Sequence, residues 1–246
     1  MALKNMEKLD ASVRPMVGTY CEELISKLGQ AVKSISAYGS ATGPDFVTGK
    51  SDVNLTVVLD TLNHGLMGSI LETVQWGMKK KIAPPLLLTP AYIASSLDVF
   101  PIEFFEIRDS QVVLYGEDQL ASLEIKPEDV RLECESQLKG ALLRTRQAYL
   151  EVGLKRKGAE QVLHTSLTSL IPVFRAMLRL KGIEVPGLKL DVVRQMGEAF
   201  GIDTSTFVAI LHDKAGDEKI GGQEAHRVLG QYVEDLQNLC DKVDQI

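Results

Sequence analysis

Cysteine is scarce in this sequence, and the three residues that occur are far apart. Cys21, Cys134 and Cys240 form neither a CxxC pair nor a Cys/His spacing of the kind that holds zinc. An odd number of cysteines also cannot pair completely within one chain. The pattern argues against a disulfide framework or a zinc site, and it favours buried thiols in a reducing cytoplasm.

Long apolar runs are also lacking. The longest run, near Pro84 to Leu88, is far too short to span a bilayer. The N-terminal stretch MALKNMEKLD has no apolar core of the kind that a secretory signal carries. These absences predict a cytoplasmic protein that does not span a membrane.

Positive charge is in deficit, with 27 Lys and Arg against 33 Asp and Glu and a formal net charge of −6. Binding to a nucleic-acid backbone needs clustered Lys and Arg, so this balance argues against a broad nucleic-acid surface. The 246 residues, 45% hydrophobic and 24% charged, have an ordinary globular composition with room for one large domain or two modest ones.

The first half of the sequence alternates between helical and strand patterns. Apolar residues recur every three or four positions in the helical stretches, and β-branched residues cluster in the strand stretches. The predicted helices cover 4–29, 64–81 and 90–96. The predicted strands cover 32–38, 53–60, 97–107 and 111–116, with a further short strand beginning at Leu86.

From Lys126 onward the sequence shows only helical patterns. Helices are predicted near 127–154, 159–182, 188–200, 204–213 and 221–244. A mixed region followed by an all-helical region predicts an α+β chain with two domains, residues 1–124 and 125–246. The first domain is expected to hold a mixed sheet with helices, and the second to be a helical bundle.

One stretch carries a pattern with chemical meaning. Gly39 and Ser40 follow a predicted strand, and after a loop Ser51, Asp52 and Asn54 open the next strand. Residues two apart on a strand point to the same face, so Asp52 and Asn54 can aim at one point. A Gly-Ser turn can bring backbone N–H groups and a hydroxyl close to a phosphate, because glycine has no side chain.

A third oxygen ligand is expected from the predicted strand 97–107. Glu103 is a charge inside a strongly apolar stretch, where it needs a partner or a metal ion. Mg²⁺ prefers oxygen ligands and is usually shared between a few carboxylates and the phosphates of a substrate. Asp52, Asn54 and Glu103 are therefore the candidate metal ligands and catalytic residues.

With these residues the sequence resembles the nucleotidyltransferase superfamily of the DNA polymerase β type, and most of all its small bacterial aminoglycoside-type members. The resemblance covers most of the first 120 residues, while the second half matches only in being helical. It implies that Gly39 and Ser40 contact a nucleoside triphosphate, with Ser51 included beside them, and that Asp52 binds Mg²⁺. It also implies that Glu103 stands where the third acid of the family stands.

Asn54 departs from the family pattern, in which the second metal-binding acid occupies this position. An asparagine supplies a carbonyl oxygen without charge, so one negative charge is missing where two Mg²⁺ ions would bridge the phosphates. Attraction at a partly buried site amounts to about a few kcal/mol, and this loss alone can abolish the second metal.

Three functions stay open at this point. The first is an enzyme that transfers a nucleoside monophosphate from an NTP to a hydroxyl of a small-molecule or protein acceptor. The second is a degenerate nucleotidyltransferase that binds a nucleotide or a protein partner. The third is a homo-oligomer assembled through the apolar stripe of the last helix, formed by Val228, Tyr232, Val233, Leu236, Leu239 and Val243.

Overall fold

The computed structural model describes residues 2–49, 51–152 and 158–243. The chain divides into two compact units, Met1–Ile125 and Lys126–Ile246. The first combines a sheet with helices, and the second contains helices, so the predicted α+β class is confirmed.

In the described part of the N-terminal unit the sheet has four strands in the order β3-β2-β1-β4. They are β1 (Val32–Tyr38), β2 (Asn54–Leu59), β3 (Leu86–Leu88) and β4 (Val112–Gly116). The central strand β1 is antiparallel to both β2 and β4, whereas β2 and β3 are parallel. The sheet is therefore mixed, as predicted.

The described residues of this unit also form five α-helices. They are α1 (Arg14–Leu28), α2 (His64–Ser69), α3 (Leu71–Met78), α4 (Pro90–Ala94) and α5 (Pro101–Ser110). Short 3₁₀ turns cover Met6–Lys8, Gly29–Ala31 and Gly39–Thr42.

The two faces of the sheet are covered by different helices. On one face, alternate residues of β2 such as Leu55 and Val57 join a core with Tyr20 and Leu24 of α1. On the other, Val58 of β2 joins a second apolar cluster with residues of α4 and α5. Alternation along a strand places Asn54 and Thr56 on the same face as Val58, the face that α5 covers.

The predicted strand 97–107 is wrong, because the segment forms helix α5. Apolar residues on either side of Glu103 imitate the alternation of a strand. The buried residues of the segment are Pro101, Ile102, Phe104 and Ile107, and three of them, Pro101, Phe104 and Ile107, follow one another at the three-residue spacing of a helix face. Pro101 also lies in the first turn of the helix, where its fixed φ is compatible with helical geometry. Backbone N–H groups in the first turn have no partner within the helix, so the missing N–H of proline costs no hydrogen bond there.

Two predicted helices are broken. The segment 4–29 contains a 3₁₀ turn before α1, which begins only at Arg14. The segment 64–81 divides into α2 and α3 at Ile70, whose φ of −102° and ψ of −1° depart from helical values. The glycines at 65 and 68 lower the helix propensity there. At Thr89 the predicted cap is confirmed, since its Oγ1 accepts a hydrogen bond from the Tyr92 N–H at 3.1 Å.

The N-terminal segment lies along the outer edge of β4. The Lys4 N–H donates to the Leu114 carbonyl oxygen at 2.8 Å, and the Asn5 side-chain amide donates to the Val113 carbonyl oxygen at the same distance. The edge of β4 is therefore occupied by the chain itself.

The C-terminal unit is made of helices α6 (Pro127–Val152), α7 (Ala159–Leu180), α8 (Lys189–Phe200), α9 (Ser205–Ala215) and α10 (Gly222–Val243). Its centre holds three aromatic rings, with 5.9 Å between the centroids of Phe174 and Phe207 and 5.6 Å between those of Phe207 and Tyr232. No helix in the described part of the chain is long and apolar enough to cross a membrane.

The apolar stripe of the last helix is used inside this unit. Tyr232, Leu236, Leu239 and Val243 have no exposed surface, and Val228 is also buried. Five of the six residues of the stripe are thus intramolecular packing, and only Val233 is partly exposed, which leaves little of the surface on which the oligomer hypothesis rested. The oligomeric state stays a prediction.

The three cysteines are free and buried, as predicted. Burial raises the pKa of the Cys21 thiol and of the Cys134 thiol to about 12, because a thiolate loses its hydration in the core. Both thiols are therefore chemically quiet in the folded protein.

We expect iodoacetamide at pH 8 to leave Cys21 and Cys134 unmodified in the folded protein and to modify both in urea. Mass spectrometry of the tryptic peptides measures this. Because the unfolded thiols have a pKa near 9.0 and the folded ones near 12, the folded state loses stability as the pH rises through this interval. Rapid modification of either residue in the folded protein at pH 8 would contradict the assigned burial.

Candidate functional site

The Gly-Ser turn directly follows the central strand β1. Gly39 has a φ of +77°, a conformation that favours glycine. Tyr38 at the end of β1 is paired with Asn54 at the start of β2, and a Cβ on Gly39 would lie 3.3 Å from the Asn54 side-chain amide nitrogen. The pairing of the two strands therefore brings the turn and Asn54 together, as the motif requires.

The backbone N–H of Gly39 already has a partner. It donates to the Ser110 hydroxyl oxygen at 3.1 Å, and that hydroxyl in turn donates to the Glu106 carbonyl oxygen near the end of α5. The resemblance assigns Gly39 to the triphosphate. In this structure its donor is instead satisfied by α5.

Ser51 closes the loop that precedes Asp52. The Val47 N–H donates to the Ser51 hydroxyl oxygen at 3.0 Å, and the Ser51 N–H donates back to the Val47 carbonyl oxygen at 2.9 Å. These two hydrogen bonds give Ser51 a structural role at the entrance to β2.

Asp52 lies beside a lysine that the sequence analysis did not single out. The ammonium nitrogen of Lys81 is 3.8 Å from a carboxylate oxygen of Asp52. The Val53 N–H donates to the Lys81 carbonyl oxygen at 2.8 Å, and Val53 forms a parallel bridge with Ile82. The backbone therefore fixes the lysine next to the first acid of the motif.

Lys81 has a φ of +65°, which is unusual for a residue with a long side chain. It follows α3 at a position where chains usually place glycine: the Ile82 N–H donates back to the Gly77 carbonyl oxygen at 3.0 Å, closing the helix end. A left-handed conformation costs a non-glycine residue about 1–2 kcal/mol. The lysine is therefore kept in a conformation that disfavours it, with its ammonium group beside Asp52.

Replacing Lys81 with glycine separates strain from charge. We expect Lys81→Gly to raise the unfolding temperature by about 2–4 °C, the change that relief of about 1 kcal/mol produces in a chain of this length. Thermal unfolding followed by circular dichroism measures this. The exposed ion pair lost with the lysine contributes little to stability.

Lys80→Gly is the matched control, because its φ is not positive and glycine there only adds freedom to the unfolded chain. We expect this control to lower the unfolding temperature. If both variants were destabilised equally, the positive φ of Lys81 would not lower the stability of the native protein, and the prediction would be wrong.

Carboxylates are missing from the sheet around this site. None of the four strands that the structure describes contains Asp or Glu. On β3, Leu86 is paired with Thr56 of β2 and so lies on the same face as Asn54. It is 43% exposed, and it occupies the place on the neighbouring strand from which an acid could approach Asn54.

Glu103 does not lie on a strand, contrary to the sequence analysis. It is in the first turn of α5, where Ile102 and Phe104 are buried and Glu103 is exposed. The sequence analysis chose Glu103 because a carboxylate buried in an apolar strand would need a partner or a metal ion. The carboxylate is exposed, so this reason no longer holds.

The donor set around Asp52 does not fit a pair of Mg²⁺ ions. Asp52 contributes one carboxylate, Asn54 a neutral carbonyl oxygen, and Lys81 a competing positive charge. Among the described residues, no three His, Cys, Asp or Glu side chains come together as a metal site. A two-ion arrangement needs several carboxylates to balance its charge.

Lys81, Leu86 and Ser110 are the neighbours that sequence reasoning missed. The run of three lysines at 79–81 was consistent with simple stabilisation of a helix C-terminus. Only the positive φ of Lys81 and the bridge beside it distinguish this lysine from the other two. The contact of Ser110 with Gly39 depends on α5 being a helix, which the sequence did not reveal.

The order of these parts defines the class of fold. A strand ending in Gly-Ser, an antiparallel strand opened by Asp-x-Asn, a parallel third strand and a C-terminal helical unit together make a nucleotidyltransferase-type fold, as the resemblance predicted. The comparison with solved structures supports this assignment.

The structure of spectinomycin adenyltransferase AAD(9) from Enterococcus faecialis, solved with ATP and spectinomycin, is similar to this chain with a TM-score of 0.58. The two share 12% sequence identity over 89% of this chain and 97% of that one. A nucleotidyltransferase-like protein from Exiguobacterium sibiricum 255-15 also matches, at 15% identity over 92% of this chain and 73% of that one. Its TM-score of 0.37 is too low to add to the argument.

Neither a protein-family model nor a curated protein matches this sequence. At 12% identity the likeness to the adenyltransferase shows a shared fold alone. Function has to be argued from the residues of the site.

Proposed function

We propose that the N-terminal unit binds a nucleoside triphosphate without transferring its nucleotidyl group efficiently. The observation that carries this proposal is the charge of the site. An asparagine replaces the second acid, the strands hold no further acid, and an ammonium group stands beside Asp52.

Phosphate binding is supported by the turn and by Lys81. Gly39 leaves room for a close approach, Ser40 offers a hydroxyl next to it, and Lys81 brings a positive charge to the neighbouring Asp52. An ammonium group close to a phosphate supplies part of the neutralisation that Mg²⁺ supplies in metal-dependent sites.

Transfer needs more than binding. Charge builds up on the departing pyrophosphate and on the attacking hydroxyl, and in transferases of this type two ions held by carboxylates stabilise both. A site with one carboxylate paired to a lysine lacks the charge to hold that pair of ions. Interactions that stabilise the bound substrate and the transition state equally do not accelerate the chemical step.

An active Mg²⁺-dependent transferase is the second candidate. It is favoured by the retained Asp52 and by the fold similarity over nearly the full length of a protein solved with ATP and an acceptor. In this case Asp52 and Asn54 would supply ligands at the start of β2, and the acceptor would be a hydroxyl of a small molecule or a protein.

Calorimetric titration of ATP, GTP, CTP and UTP, each with Mg²⁺ and with EDTA, separates the two candidates. We expect one nucleotide to bind in EDTA, and its affinity to fall about tenfold or more in Lys81→Ala, because an attractive charge near the phosphates is lost. Lys80→Ala is the control, since it removes the same charge from the exposed neighbouring position.

Binding that requires Mg²⁺ and disappears in Asp52→Ala, together with pyrophosphate release in an acceptor screen, would establish the transferase instead. If no nucleotide bound under either condition, both candidates would fail and the fold would serve another purpose.

Restoring the missing acids is a second test. We expect the double variant Asn54→Asp, Leu86→Glu to gain Mg²⁺-dependent binding of the nucleotide that the native chain binds without metal. Asn54 and Leu86 lie on one face of the sheet, since Leu86 is paired with Thr56, and together with Asp52 the two new carboxylates supply oxygen ligands of the kind that Mg²⁺ accepts.

The two single variants are the controls for this gain. Each adds one carboxylate at a position that is not fully buried, so neither is expected to disturb folding. If the native chain already showed the same Mg²⁺ dependence as the double variant, Asn54 would be part of a working metal site.

A further inference from the structure

Asp235 interrupts the apolar stripe of α10. It lies three residues after Tyr232 and four before Leu239, both of which are fully buried. The aspartate itself is only 7% exposed. A carboxylate buried to this extent is unfavourable unless hydrogen bonds or an opposite charge compensate for its lost hydration.

Only one oxygen of this carboxylate has such compensation within the described part of the chain. Oδ1 accepts a hydrogen bond from the Gln231 side-chain amide at 3.0 Å. Oδ2 has almost no accessible surface and no hydrogen-bond donor there, so a donor in the cavity reaches it only when the side chain rotates toward the cavity. Asp235 lines a cavity of about 490 Å³ and also a neighbouring one of about 350 Å³.

The larger cavity lies wholly within the C-terminal unit, between the start of α9, residues 218–220 and the first half of α10. Three further carboxylates line it, from Asp203, Glu218 and Glu224. Its two cations are Lys219 and Arg227, of which Arg227 is ion-paired with Glu224. Four carboxylates against two cations leave the cavity with a net negative charge.

The neighbouring cavity has the same sign. Asp203 and Asp235 line it together with Asp241, and among its described lining residues the one cation is Lys242. The cationic residues in both walls are exposed, whereas Asp235 is buried. A ligand that enters the larger cavity and reaches Asp235 therefore meets negative charge on both sides of that residue.

The wall opposite α10 is fixed in place. Asp213 near the end of α9 contacts the His164 ring at 2.6 Å and accepts the backbone N–H of Ile220 at 2.9 Å. These contacts hold residues 216–220 against α9, so the cavity is already formed in the free protein. A preformed pocket loses less conformational entropy on binding than one that must be assembled.

We propose that this cavity binds a small organic molecule through a protonated amine, with Asp235 as the anchor of the ammonium group. A single water occupies about 30 Å³, whereas pockets for small organic ligands hold about 300–1,000 Å³, which is the range of this cavity. Ile220 and Val228 line the same cavity and provide apolar contact for a carbon chain. The proposal is independent of the nucleotide site in the N-terminal unit.

Spermidine is the probe, titrated into the full chain at constant ionic strength and followed by calorimetry. A neutral diol of similar length and potassium chloride are run beside it. We expect saturable binding of spermidine alone, reduced tenfold or more in Asp235→Asn. The asparagine keeps the shape of the side chain and can still accept the hydrogen bond from Gln231, so the variant should fold.

Glu234→Gln is the matched control, because it removes one negative charge from an exposed neighbour on the same helix. We expect it to bind spermidine within about twofold of the native chain. A second readout is the unfolding temperature without ligand, which should rise in Asp235→Asn, since an uncompensated buried charge is removed, and stay unchanged in Glu234→Gln.

NMR measurement of the amide chemical shifts of the native chain locates the spermidine site without using any variant. Spermidine should shift the signals of Ile220 and Asp235. The proposal is overturned if spermidine does not bind, if the diol or potassium binds equally well, or if Asp235→Asn binds as the native chain does.

Discussion

The antiparallel pairing of β1 with β2 is the constraint on which the N-terminal unit depends. It places the end of one strand beside the start of the other, so that Tyr38 is paired with Asn54 and Gly39 lies next to the Asn54 side chain. A slip of one residue would turn Asn54 into the core and Leu55 out of it. The buried side chains of β2 on the α1 face fix this register, and the geometry of the candidate site follows from core packing.

The chemistry of the candidate site depends on the charges of the side chains that this strand pairing brings together. The fold that elsewhere gathers carboxylates here gathers one carboxylate, one amide and one ammonium group. Lys81 is part of this change, since it stays beside Asp52 in spite of a backbone conformation that disfavours it. The C-terminal unit has the opposite arrangement, with carboxylates around a cavity and a buried aspartate that has one unoccupied oxygen.

The sequence predicted the α+β class, the central strand 32–38 and the helical second half, because these depend on local periodicity. It also placed Gly39 and Asn54 in one site, because both lie next to strands that pair with each other. The helix α5 was missed because its alternating apolar residues imitate a strand, and only packing against the sheet distinguishes the two. Lys81 and Asp235 depend on backbone conformation and on burial, which a periodic pattern does not contain.

Both edges of the sheet offer little backbone for another strand to pair with. At one end, β3 is only three residues long and follows two prolines, which donate no backbone hydrogen bonds. At the other, the segment around Lys4 and Asn5 already occupies the edge of β4. A partner that recognises its target by adding a strand finds little free edge here, and edge-to-edge self-association is disfavoured for the same reason. A partner of the N-terminal unit would therefore contact its side chains and loops rather than the backbone of a sheet edge.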